Sequence, residues 1–185
     1  MRLESPVIDP KHPMWQAPAF ELPDPSGKRY TLDNSMGPTG AVIAFICNHC
    51  PYVQAVIDRF VSDAAALKKI GINTVAIMAN DYDAYPEDNP DAMLHFAEQH
   101  GFIFPYLVDK TQEVARAYTA VCTPDFFGFN ADKTLVYRGR LDDAKRGDAS
   151  HRVPELRQAM KLVSETGRGP DKQYPSLGCS IKWRS

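Results

Sequence analysis

Residues 41–51 read Ala41-Val42-Ile43-Ala44-Phe45-Ile46-Cys47-Asn48-His49-Cys50-Pro51. The first six are apolar at every position, so neither face of the segment can meet water. That is the pattern of a central strand buried on both sides. From Pro51 the period changes: Val53, Val56, Ile57, Phe60, Ala64 and Leu67 recur at steps of three and four, and Gly71 follows the last turn. This is an amphipathic helix with a glycine stop. Residues 72–78 return to a β-type run. Cys47 and Cys50 therefore fall on a strand-to-helix turn inside a βαβ unit.

Outward from this unit the same rules place the remaining elements. Residues 20–32, interrupted by Pro23, Pro25 and Ser26-Gly27, read as strand, turn and strand. Residues 80–90 are a polar, proline-containing loop, 91–100 a helix ended by Gly101, 105–108 a short strand and 111–118 a helix. Residues 126–130 and 134–138 form a hairpin around Ala131-Asp132-Lys133, and 153–165 is a last helix ended by Gly167. Strands alternating with helices, then a hairpin and a helix, give an α/β domain with a mixed central sheet flanked by helices. The domain is expected over 17–167, after a proline-rich arm at 1–16 and before a tail at 168–185. Ile181 and Trp183 argue that the tail docks on the domain.

Composition bounds the function. A chain of 185 residues, 44% hydrophobic and 24% charged, is one ordinary globular domain. A net charge of −2 offers no broad basic field for nucleic acid or a membrane surface. No run approaches ~20 apolar residues, and the first 17 lack the apolar core of a secretory signal. The expectation is a cytoplasmic protein, whose four cysteines default to thiols.

A thiolate at a helix start is stabilised by unpaired N–H groups and the positive helix end. Its pKa then falls from ~8.5 towards ~7 or below, and a second thiol two residues away can resolve the mixed disulfide it forms. Proline favours the first helical position, so Pro51 makes Cys50 the helix cap and the more acidic thiol. Cys47 is expected just outside it, exposed and able to attack or resolve. His49 is either a proton shuttle for the pair or an exposed loop histidine. A zinc site would have to recruit Cys122 and Cys179 from far along the chain, because no second close pair of ligands exists; neither metal nor cofactor is expected. Cys122 reads as a third redox thiol or as a small apolar filler. Cys179 reads as a docked, inert thiol or as a resolver of Cys50. Arg138-Gly139-Arg140 with Asp142-Asp143 is expected as a solvated loop of mixed charge. Asp81, Asp83, Glu87 and Asp88 make an acidic loop that lacks the calcium-loop pattern, and Phe126, Phe127 and Phe129 are packing residues.

The opening Ala17-Pro18-Ala19-Phe20-Glu21-Leu22-Pro23-Asp24, followed by Gly27-Lys28 and Tyr30-Thr31-Leu32, resembles the start of redoxins. Strand-Cys-x-x-Cys-Pro, the segment Val121-Cys122-Thr123-Pro124-Asp125-Phe126-Phe127 and the ending from Pro175 to Trp183 resemble the peroxiredoxin-like (AhpC/TSA-type) branch of the thioredoxin superfamily. The resemblance implies a thioredoxin-like fold and a cis Pro124 facing the dithiol. It also implies that Thr123 supplies a backbone edge for a substrate chain, and that Cys50 matches the peroxidatic cysteine. Two departures stand out. Cys47 replaces the threonine that helps hold peroxide, and Asp125-Phe126-Phe127 lacks the family arginine. Both favour disulfide exchange over fast peroxide reduction. The expected function is a thiol–disulfide oxidoreductase acting on protein or small-molecule disulfides, recharged by a reductant of thioredoxin or glutathione type. The alternatives are a thiol peroxidase working through Cys50, and a module that senses metal or redox state. Oligomeric state is left open.

Overall fold

The computed structural model describes residues 1–8 and 15–185. Most of the expected arm at 1–16 is thus in view, but its stretch 9–14 lies outside the described residues. In chain order the strands and helices begin with β1 (Arg2–Glu4), β2 (Glu21–Pro23), β3 (Arg29–Thr31), α1 (Leu32–Ser35) and β4 (Gly40–Phe45). Next come α2 (Pro51–Gln54), α3 (Ile57–Lys68), β5 (Ile72–Met78), a 3-10 turn at Pro86–Asp88, α4 (Pro90–Gln99), β6 (Tyr106–Val108) and α5 (Glu113–Ala117). The chain closes with β7 (Cys122–Thr123), β8 (Asp125–Asn130), β9 (Leu135–Gly139), α6 (Glu155–Thr166) and β10 (Leu177–Ser180).

All six residues of β4 are buried, and the strand sits at the centre of a five-stranded sheet ordered β6-β5-β4-β8-β9. β4, β5 and β6 run parallel, whereas β8 and β9 are antiparallel. This mixed sheet flanked by helices is the thioredoxin-like architecture. Alternate residues of β4 serve two cores. Val42 and Ala44 pack with Phe60 of α3 and with Leu156, Met160 and Val163 of α6. Ile43 and Phe45 pack on the opposite face with Tyr118, Phe127 and Phe129. Each fully buried aromatic contributes roughly 1.5–3 kcal/mol by area.

Three expectations are corrected. The helix after Pro51 is two helices: Val56 leaves helical geometry at φ −118, its N–H bonds Val53 at 3.0 Å, and Arg59 Nη1 donates to the Ala55 carbonyl at 2.8 Å. The charged stretch 138–143 is largely interior. Arg138 lies within β9, and its guanidinium pairs with buried Asp125 at 2.9 Å; Asp142 is buried and pairs with Arg59 at 2.8 Å. Burial there is stable because every charge has a partner. Finally, the arm carries a strand. β1 pairs antiparallel with β10, which in turn pairs with β7, so both chain ends lie against the body. Among the described residues no helix is long and apolar enough to cross a membrane.

Candidate active site

At the end of β4, the Ile46 N–H bonds the Ile77 carbonyl of the neighbouring strand at 3.0 Å. The chain then turns through Cys47–Cys50. Cys50 is the cap residue, extended at φ −70 and ψ 121, with Pro51 in the first helical position. Opposite lies the Thr123–Pro124 peptide, which is cis. Cys47 Sγ is 3.4 Å from Thr123 Oγ1. The Cys50 thiol, when protonated, donates to the Thr123 carbonyl at 3.2 Å. One short strand therefore holds both sulfurs.

The two thiols share a hydrogen bond, and it divides their acidity. The Cys47 hydrogen bond is the largest influence on Cys50; the N–H groups of Val53 and Cys179 and the Thr123 hydroxyl add to it. Together they outweigh burial and lower Cys50 to about 4. Cys47 moves the other way, held protonated by its bond to Cys50, by burial and by the facing Asp88 carboxylate. The expected helix start contributes only in part: α2 spans four residues, and the Val53 N–H of its first turn is one of several local donors that favour the thiolate.

The loop expected to be a plain acidic stretch supplies the base of the site. Asp88 is 0% exposed. Its carboxylate accepts from Asn48 N at 2.7 Å and from Asn80 Nδ2 at 2.9 Å. His49 Nδ1 lies 2.7 Å away, at an angle outside hydrogen-bond geometry. The His49 ring also stacks on Tyr85. Asn48 is fixed in turn by Tyr106, whose hydroxyl donates to Asn48 Oδ1 at 2.9 Å, and by the Glu87 carbonyl. Sequence reasoning missed Asp88, Asn80 and Tyr106. The available signal was topological: loops after adjacent parallel strands meet at one sheet edge, and the dithiol and residues 80–90 follow β4 and β5.

Ligand atoms of Cys47, His49 and Asp88 lie within 4.8 Å of one another. Two ligands on one tetrahedral zinc ion stand roughly 3.4 Å apart, so His49 and Asp88, in contact at 2.7 Å, would have to part to hold one.

The structure separates the other two cysteines. Cys122 is fully buried and its thiol donates to the Pro124 carbonyl at 3.5 Å. Burial and Asp125 push its pKa up. One step along a strand turns a side chain to the other face, so Cys122 looks away from the pair that Thr123 faces. Cys179, by contrast, stands opposite Thr123 in the β10–β7 register and packs against the cluster that includes Cys47 and Cys50. The expectation that Cys47 is exposed is corrected: Cys47 is 1% and Cys50 0% exposed. Strand β10 lies over them, and Gly178 approaches so closely that a Cβ there would sit 2.1 Å from the Thr123 carbonyl oxygen.

Residues 14–138 match the model of the AhpC/TSA family. An uncharacterized conserved protein of Geobacillus kaustophilus superposes with a TM-score of 0.87 at 43% identity, covering 98% of each chain. A hypothetical protein of Sinorhizobium meliloti 1021 gives 0.87 at 37% identity, over 92% of this chain and 93% of that one. A secreted Mycobacterium tuberculosis disulfide oxidoreductase, homologous to E. coli DsbE, gives 0.55 at 22% identity over 64% of this chain and 81% of that one, a likeness of fold. No curated protein matches the chain.

Proposed function

The chain belongs to the AhpC/TSA family, and on that premise we propose that it is a thiol–disulfide oxidoreductase whose redox pair is Cys47 and Cys50. The observation that carries this is the placing of both sulfurs against one residue, Cys47 Sγ 3.4 Å from Thr123 Oγ1 and Cys50 Sγ 3.2 Å from the Thr123 carbonyl, with the Cys50 pKa lowered and that of Cys47 raised. A thiolate attacks disulfide sulfur, and the partner thiol two residues away closes the bridge by expelling the second product thiol. Asp88 and His49 lie beside Cys47 and serve to pass the Cys47 proton to the thiolate that leaves as the bridge closes. The substrates are protein or small-molecule disulfides, with a reductant of thioredoxin or glutathione type regenerating the dithiol. The reading carries a reducing, cytoplasmic setting, in which such thiols persist.

Peroxide reduction through Cys50 is the second reading, favoured by the family match. Against it, Cys47 stands in the threonine position. The nearby arginine, Arg138, is committed to Asp125 at 2.9 Å and to the Thr119 carbonyl at 2.8 Å. Equilibration in dithiothreitol redox buffers, followed by alkylation and peptide mass mapping, tests the main reading. A Cys47–Cys50 bridge with a defined potential, abolished in Cys50→Ser, is expected. A pair that stays reduced across the range, while hydrogen peroxide oxidises Cys50 far faster than free cysteine, would favour the peroxidase.

A further inference from the structure

Strand β10 runs beside β7, the short strand that faces the dithiol. It pairs antiparallel with β7, with Cys179 opposite Thr123 and Ser180 opposite Cys122. Directly opposed residues in an antiparallel pair send their side chains to the same face. The Cys179 thiol therefore shares the face of Thr123, whose hydroxyl is 3.4 Å from Cys47 Sγ. Cys179 packs against the core cluster that holds Cys47 and Cys50, and its backbone N–H is among the groups that lower the Cys50 pKa. The strand is firmly held: Ser176 Oγ donates to the Pro124 carbonyl at 2.6 Å, Ser5 N to the Ser176 carbonyl at 2.9 Å, and Lys182 N to Asn80 Oδ1 at 2.9 Å. Ile181 is anchored in the core. Cys47 and Cys50 are themselves buried. Of the four free cysteines, Cys179 is the one that is not buried.

We propose that β10 is an internal substitute for a substrate strand and that Cys179 is the exchange thiol through which outside disulfides reach the buried pair. This rests on the dithiol reading above. In the oxidative direction, Cys179 sulfur attacks one sulfur of an external disulfide RSSR. A Cys179–SR mixed disulfide forms, and RSH leaves carrying the Cys179 proton. The Cys50 thiolate then attacks Cys179 Sγ, forming Cys50–Cys179 and expelling RS⁻. Cys47 attacks Cys50 Sγ, closing Cys47–Cys50 and releasing Cys179, which takes the Cys47 proton. RSSR gains two electrons, and Cys47 and Cys50 lose two. The reverse sequence lets an external dithiol reduce the pair.

The raised acidity threshold of Cys179, due first to its burial and then to its bond to Cys50, fits a relay. The thiol rests protonated, and it attacks an external disulfide through its ionised fraction, its proton passing to the departing RS⁻. Cys122 has no part in this path, since its sulfur lies on the far face of the same strand.

The test uses the reduced full-length protein and glutathione disulfide, with alkylation at timed intervals and peptide mass mapping. In Cys47→Ser the relay must stall, so a Cys50–Cys179 disulfide should accumulate. In Cys179→Ser the Cys47–Cys50 bridge should form at least tenfold more slowly than in wild type. If β10 is only a cover, Cys179→Ser reacts as fast as wild type or faster, and Cys47→Ser carries glutathione on Cys50; either result overturns the proposal. Wild-type protein is the control for the reading underneath. If it never forms Cys47–Cys50 even after prolonged equilibration, the dithiol function itself has failed and the relay with it. If it does form that bridge, the two variants judge Cys179 alone. Circular dichroism of each variant confirms that β10 has not been lost through unfolding.

Discussion

Asp63 and Asp88 are both carboxylates with no exposed surface, and their partners differ in kind. Asp63, on α3, faces arginines: Arg152 holds it in a two-pronged grip at 2.7 and 2.8 Å, and Arg157 adds a third contact at 3.3 Å. Arg152 also reaches Asp142, which Arg59 holds from the other side. Asp88 faces a backbone N–H, an amide and an imidazole. A guanidinium is permanently charged and cancels the carboxylate it holds. Neutral donors satisfy hydrogen bonds and leave the negative charge in place. The first cluster ties α3 to the segment before α6, while the second keeps an uncancelled charge against Cys47. The lesson is that burial alone does not mark a functional carboxylate; the nature of the donors around it does.

The sharpest way to break this contrast is to remove a guanidinium. Arg152→Ala leaves Asp63 buried with one distant partner and should cost about 3–5 kcal/mol in urea unfolding. The Cys47–Cys50 potential should not move with it; a shift would mean that the two clusters are one network.

A smaller effect is expected from pH. Cys50 falls from 9.0 in an unconstrained thiol to about 4 in the fold. Between those values the unfolded chain carries a proton that the folded one lacks, so stability rises with pH across the window and is lost as pH falls towards 4. The thermal midpoint of the reduced protein should rise by several degrees between pH 5 and 8, and less in Cys50→Ser. Equal slopes in the two proteins would contradict the thiolate assignment.

The smallest change comes from Asp88→Asn, which keeps the shape and removes the charge. It should cost about 1–2 kcal/mol, because an amide nitrogen then faces donors. It should also lower the Cys47 pKa, since a like charge no longer opposes its ionisation. Absorbance at 240 nm followed through a pH titration reads both thiols. A Cys47 transition that stays in place would show that Asp88 only braces the loop.

Much of the site's local form was legible. The spacing of Cys47, Cys50 and Pro51 led to the cap position and to Cys50 as the acidic thiol, because N-terminal helix geometry involves only neighbours along the chain. The apolar run of β4 and the segment carrying Pro124 were equally readable. The arginine lattice was not. Arg138 and Asp142 look like surface charge until the sheet brings Asp125 beside one and α3 brings Arg59 beside the other. Nor did local pattern reveal that the thiolate is held by scattered donors rather than by a long helix, for the break at Val56 falls inside an unbroken three- and four-residue period.

What the sequence by itself determined is therefore short-range: which residues form strand, turn and helix, and which cysteine takes the cap. Only the tertiary structure decided the chemistry of the surroundings. Asp88 reaches Asn48 across 40 residues of chain and Thr123 reaches Cys50 across 73, while β10 arrives from the far end to cover both sulfurs. Those meetings follow from strand order and from which loops emerge at the same sheet edge, and no local period in the sequence encodes them.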